Sequence, residues 1–112
     1  MTKMAITINI RYTGKDGNAE KFAREMVSNG TVDAIRKESG NLRYEYYRPF
    51  DESESILLID SWVSQEALDV HHISPMMKAI TDLREKYDLH MSVERYVSAD
   101  APRSDDKFIK KK

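Results

Sequence analysis

The chain has 112 residues, with 18 Lys and Arg against 19 Asp and Glu, three histidines and no cysteine. One core suffices at that length. The near-zero net charge makes no bulk electrostatic case for nucleic acid or an anionic membrane, and the missing cysteines exclude disulfides, thiolate nucleophiles and Cys-ligated zinc or iron–sulfur sites.

Residues 4–12 read MAITINIRY. Ile6, Ile8, Ile10 and Tyr12 share one face, and Ala5, Thr7, Asn9 and Arg11 share the other. This period-two alternation of β-branched residues predicts a strand rather than the continuous apolar core of a signal peptide. TGKDGN breaks the strand, and Asn18 is placed to cap a helix. From 19 to 38 the spacing of Ala19, Phe22, Ala23, Met26 and Val27 is helical, with Ser28-Asn29-Gly30 as an interruption and Gly40 as a left-handed stop. LRYEYYRP (42–49) and SILLIDSWV (55–63) are two strands joined by the acidic DESES. Ser64 starts a helix through EALDVHH, Ser74-Pro75 starts the next, which carries Met76, Met77, Ile80, Leu83 and Tyr87, and LHMSVERYV (89–97) is the last strand. The remainder is polar apart from Phe108-Ile109; disorder is expected at 110–112. No apolar run approaches the ~18 residues of a membrane span.

The order β-α-β-β-α-β is that of the ferredoxin-like α+β unit, one four-stranded antiparallel sheet with helices on one face. The expected division is a domain over 1–98 and a C-terminal arm or tail over 99–112. One strand strains the picture. ILLIDSW is apolar on both faces, Ile56 and Leu58 against Leu57 and Ile59. Two-sided apolar strands are covered on both sides, so a second copy of the chain is expected on the face the helices leave open.

Asp60 and Trp62, two apart in a strand, point to one face; Trp62 suits either a core or the wall of a flat pocket. His71 and His72 diverge by about 100° on a helix, so they do not share a metal, and no HxxxH or HExxH spacing is present. A neutral imidazole moves protons near pH 7, which suits His71, while His72 suits a solvated face. Tyr44 and Tyr46 share a face and offer hydroxyls. Asn9 is an amide in mid-strand, where strands disfavour it.

ESGNLRYEYYRP, IDSW, SQEALDVHHISPMMKAI and VERY together resemble the antibiotic biosynthesis monooxygenase family, over residues 4–97. The resemblance implies a dimeric α+β barrel and a pocket between sheet and helices. It places the motif histidine on His71, the strand tryptophan on Trp62 and the motif acid, commonly Glu, on Asp60. It implies a cytoplasmic, cofactor-independent oxygenase without metal, flavin or haem, in which His71 deprotonates a quinol or other electron-rich aromatic. Trp62 then walls the substrate; Tyr46 as a second wall and Asn9 as a hydrogen-bonding group are chosen from face and chemistry, not from the family's motif. Haem-degrading relatives are set aside by His71 and Thr81, which replace their Trp and His. Two alternatives share the fold: a phosphosugar-like isomerase, which needs a cation from Arg11, Arg43 or Arg48, and a non-catalytic ligand-binding stress module.

Overall fold

A computed structural model describes residues 5–110 of the chain; Met4 and the last two lysines lie outside them. Strand β1 (Ile6–Thr13) leads through a 3-10 turn to α1 (Asn18–Ser28) and α2 (Thr31–Arg36). Strands β2 (Asn41–Tyr47) and β3 (Ser55–Trp62) form a hairpin, followed by α3 (Gln65–His72), α4 (Met76–Lys86) and β4 (His90–Val97). The sheet order is β2-β3-β1-β4, with every adjacent pair antiparallel. This is the ferredoxin-like α+β fold, each of its two helical layers divided in two.

Register explains the layering. Ile8 faces Asp60 on one side and Arg95 on the other, and Asp60 faces Tyr44, so these four side chains stand in one row on the helix side. Asn9, Ile59, Glu45 and Glu94 form the next row, on the opposite side. Ile6, Ile10, Tyr12, Tyr44, Ile56, Leu58 and Trp62 bury against Phe22, Met26, Val32, Ile35, Leu68, Ile80 and Leu83, giving one core between sheet and helices. β4 differs from the other strands. All eight of its residues are exposed, since it pairs only with β1 and the helices stop short of it.

The interruption at Ser28-Asn29-Gly30 separates α1 from α2, as its glycine predicts, and Gly30 is left-handed. Gly40 has φ 86°, and a Cβ there would lie 2.6 Å from the Ala67 side chain. Left-handed backbone and close approach to α3 both demand glycine. Ser64 caps α3 by accepting from the Ala67 amide at 3.1 Å. Two caps fall elsewhere. Gly17, not Asn18, stands at the α1 cap, and the Asn18 amide donates instead to the Tyr87 carbonyl. Pro75 stands at the α4 cap, while Ser74 Oγ is buried and unpartnered.

Beyond β4 the chain forms a short 3-10 helix, Arg103–Phe108, and both Phe108 and Ile109 are exposed. No helix among the described residues is long and apolar enough to cross a membrane.

Candidate functional site

Three segments converge at one end of the core. Alternation in β3 sends Asp60 and Trp62 to the helix side. The helical turn of α3 buries His71 and leaves His72 exposed. The tight connection between α2 and β2, closed by Gly40, brings up Glu38.

His71 is held from several sides. Its Nδ1 lies 2.7 Å from Glu38 Oε2. Its ring stacks on Trp62, with centroids 4.8 Å apart and planes inclined by 28°. Tyr44 meets it edge-on at 6.4 Å. Trp62 is itself fully buried and donates from Nε1 to Asp60 Oδ1 at 2.6 Å. A carboxylate beside Nδ1 selects the tautomer with the proton on that nitrogen, because carboxylate oxygens only accept. Nε2 is then the basic atom. Glu38, His71, Trp62 and Asp60 thus form one connected polar–aromatic unit, in which each ring is oriented by a carboxylate.

A cavity of about 390 Å³ opens beside this unit, between the sheet and helices α3 and α4. Ile8, Ile10, Leu58, Leu68, Met77 and Ile80 make its apolar walls. His71, Asp60, Tyr44 and Arg84 project polar groups into it, and Gln65, His72, Met91, Val93 and Arg95 complete the lining. Arg84 reaches from α4 to the sheet, where Nε and Nη2 both donate to the Tyr12 hydroxyl at 3.2 and 2.8 Å. At β4, the Arg95 guanidinium donates to the side-chain oxygen of Gln65, which opens α3. A wider depression over α1 includes Tyr46 and Tyr87. It is open to solvent, and its polar lining is mostly ion-paired surface: Glu20 with Arg24, Glu25 with Lys86. A concave apolar pocket with a few convergent polar groups is the better binding site.

Burial sets the protonation of the site. It pushes the Asp60 carboxyl up to about 7, against the Trp62 hydrogen bond and with help from the Glu38 charge. Burial also lowers His71 below the usual histidine value, with Glu38 opposing and the Arg84 charge assisting. The imidazole is therefore neutral at pH 7. The Tyr44 and Tyr46 phenols are pushed upward, again chiefly by burial.

Of the residues expected at the site, His71 and Asp60 line the cavity. Trp62 stands behind His71 as its stacking platform. Tyr46 packs edge-on against Tyr44 and Phe22 and faces the depression over α1. Asn9 is not brought to the site at all: it lies on the opposite face of the sheet, its Oδ1 buried without a hydrogen-bond partner. The three arginines expected to supply a cation are elsewhere too, Arg11 on Glu52, Arg43 on Glu45 and Arg48 on Glu20. Sequence reasoning missed Glu38 and Arg84. Glu38 begins the ESGNLR stretch, yet its partner is 33 positions away. Arg84 sits among the polar residues of an amphipathic helix and looks like a solvated charge. No group of three or more histidine, aspartate or glutamate side chains among the described residues is placed to hold a metal ion.

The sequence pattern described as antibiotic biosynthesis monooxygenase matches residues 5–83. No curated protein matches the chain. Solved structures do. A Pseudomonas aeruginosa protein superposes with a TM-score of 0.75 at 21% identity, covering 89% of this chain and 99% of its own. A Shewanella oneidensis protein gives 0.71 at 21%, covering 87% and 93%. SnoaB, a cofactor-independent oxygenase from Streptomyces nogalater, gives 0.68 at 14%, covering 88% and 97%. At these identities the likeness is one of fold.

Proposed function

The chain belongs to the antibiotic biosynthesis monooxygenase family, and from that footing we propose that it is a cofactor-independent monooxygenase acting on a quinol or other electron-rich aromatic, with His71 as the base. The observation that carries the reading is the buried Glu38–His71 pair beside an apolar cavity, with the imidazole stacked on Trp62. The neighbour SnoaB, named as a cofactor-independent oxygenase, supports it.

In this reading His71 Nε2 takes the proton of a ring hydroxyl. The substrate anion gives one electron to O2, and the resulting radical and superoxide join at a ring carbon as a peroxide. Protonation and loss of water leave one oxygen on the ring. A quinol and O2 thus give a hydroxyquinone and water; the substrate supplies every electron, so no external reductant is needed. Asp60, which titrates close to neutrality, is suited to return the proton. The Nδ1–H···Glu38 bond steadies the imidazolium formed in the first step, the role a buried carboxylate plays beside any catalytic histidine. Glu38 is in that sense a positioning residue, and Trp62 fixes the plane of the ring.

The function we propose includes a homodimer. Leu57 and Ile59 are half-buried on the helix-free face, and the orphan Asn9 Oδ1 lies between them and β4. A half-covered apolar patch is a surface suited to a second copy. The isomerase alternative uses the same histidine as a proton shuttle, and the arginine in the cavity is the observation in its favour. Oxygen decides between them. Quinol-dependent O2 uptake by the wild type that disappears in His71→Ala supports the monooxygenase. Turnover without O2 consumption supports the isomerase, and equal uptake by both proteins removes His71 from the mechanism.

A further inference from the structure

The cavity holds cations without matching anions. Arg84 and Arg95 both line it, and neither takes part in any ion pair of the described residues. Arg84 spends two N–H groups on a neutral phenol, and its third nitrogen, Nη1, makes no hydrogen bond among the described residues. Arg95 spends one on a neutral amide. Of the exposed arginines on other faces, Arg11, Arg24, Arg43 and Arg48 each meet a glutamate, while Arg36 donates to the Tyr44 carbonyl.

Placement makes the contrast informative. Arg84 is half-buried, lies against the fully buried Tyr12, and its field reaches both Asp60 and His71. A guanidinium partly removed from water without a counter-ion is costly, and it binds carboxylates through charge-assisted hydrogen bonds. Among the described residues, the only carboxylate in the cavity wall is Asp60.

We infer that the cavity takes an organic monoanion, with Arg84 holding a substrate carboxylate and Arg95 adding positive charge at the mouth. The inference deepens the function proposed above: the aromatic substrate carries an acidic group away from the reacting hydroxyl. Arg84 works at the Tyr12 end of β1 and Arg95 stands opposite Ile8, four residues along the strand. That span is about 13 Å at strand spacing, so the two guanidinium groups are anchored toward opposite ends of the cavity. One negative charge suits the site better than two, because the wall sets one carboxyl, Asp60, beside its two guanidinium groups.

The test is binding in the absence of oxygen, read by calorimetry, so that it does not depend on turnover. The probes are 2,5-dihydroxybenzoate, hydroquinone, benzoate and phenyl phosphate. Wild type should bind 2,5-dihydroxybenzoate roughly tenfold or more tightly than hydroquinone. Added salt should weaken that preference. Arg84→Gln should abolish it and Arg84→Lys should keep part of it, both proteins retaining the wild-type near-ultraviolet spectrum. Arg95→Gln should reduce it less. Equal binding of the charged and neutral ligands, or a preference that survives in folded Arg84→Gln, would overturn the inference. Phenyl phosphate binding more tightly than benzoate would overturn the assignment to a monoanion. Oxygen uptake with 2,5-dihydroxybenzoate is measured separately. Tight, Arg84-dependent binding without uptake would remove the oxygenase reading and leave the anion site standing.

Discussion

Along β3 the two faces of one strand meet different surroundings. Ile56, Leu58, Asp60 and Trp62 turn toward the helices and all four are buried, while Leu57 and Ile59 turn away and are only half-covered. The helix side holds a complete unit, in which the indole has its carboxylate and the imidazole has its own. The open side holds an amide oxygen with no partner, between apolar side chains. The strand's hydropathy is nearly the same on both faces. What separates them is how far the rest of this chain covers the apolar side chains, and only on the helix side is that cover complete.

The comparison is broken most directly at His71. His71→Ala should lower substrate-dependent O2 uptake by about 10²–10⁴-fold, the usual contribution of a general base. Because the ring is buried, stacked on Trp62 and paired with Glu38, it should also cost about 2–5 kcal/mol in urea unfolding, so uptake is compared on protein that retains the wild-type near-ultraviolet spectrum. Full activity in the variant would detach the helix-side unit from function. Trp62→Ala should cost about 3–5 kcal/mol, as for other fully buried aromatics, measured by urea unfolding. Trp62→Phe should recover most of that stability, but not the hydrogen bond to Asp60.

Asp60 gives a pH test. Its folded value lies above its unfolded value, so the folded chain keeps a proton that the unfolded chain releases between about pH 4 and 7. Stability falls as pH rises through that window. Asp60→Asn keeps an acceptor for the Trp62 N–H and removes the titration. The variant should therefore gain on the wild type as pH rises from 4 to 8, by on the order of 2–4 kcal/mol, with no further gain above that. A constant difference across this range would refute the burial argument.

On the open face the expected effects on the folded monomer are smaller. Ile59→Lys should change monomer stability by only about 0.5 kcal/mol while halving the mass seen by light scattering, if the face pairs two copies. An unchanged mass would sink the dimer. Asn9→Ala should have the least effect on activity, since Asn9 is across the sheet from the cavity; a large loss of O2 uptake would show that the open face enters the reaction.

Much of the fold was legible in local pattern. Alternation in ITINIRY and the apolar run of SILLIDSW marked the strands, and the glycines at 30 and 40 broke the helices where the backbone turns left-handed. The site was legible only where a motif marks it: His71, Trp62 and Asp60 lie within thirteen consecutive positions, and all three belong to one polar–aromatic unit. Asn9 and Tyr46 were chosen by residue type, and the pleat and the neighbouring aromatics took them elsewhere. The two caps expected at Asn18 and Ser74 went to Gly17 and Pro75, because several residues near a helix start satisfy the same local preference.

The sequence by itself determined the elements, their order and the identity of the buried strand face, because period and turn chemistry act over a few residues. It also determined the chemical inventory, with no thiol and three histidines. Only the tertiary structure decided which carboxylate meets His71, which arginine enters the cavity and which face of the sheet Asn9 occupies relative to them. Those outcomes join residues 33 and 72 positions apart, and burial then changes their chemistry. A carboxyl near 7 is a property of the packed site, where desolvation outweighs the intrinsic acidity of Asp60, and the same burial holds the His71 imidazole further toward its neutral form.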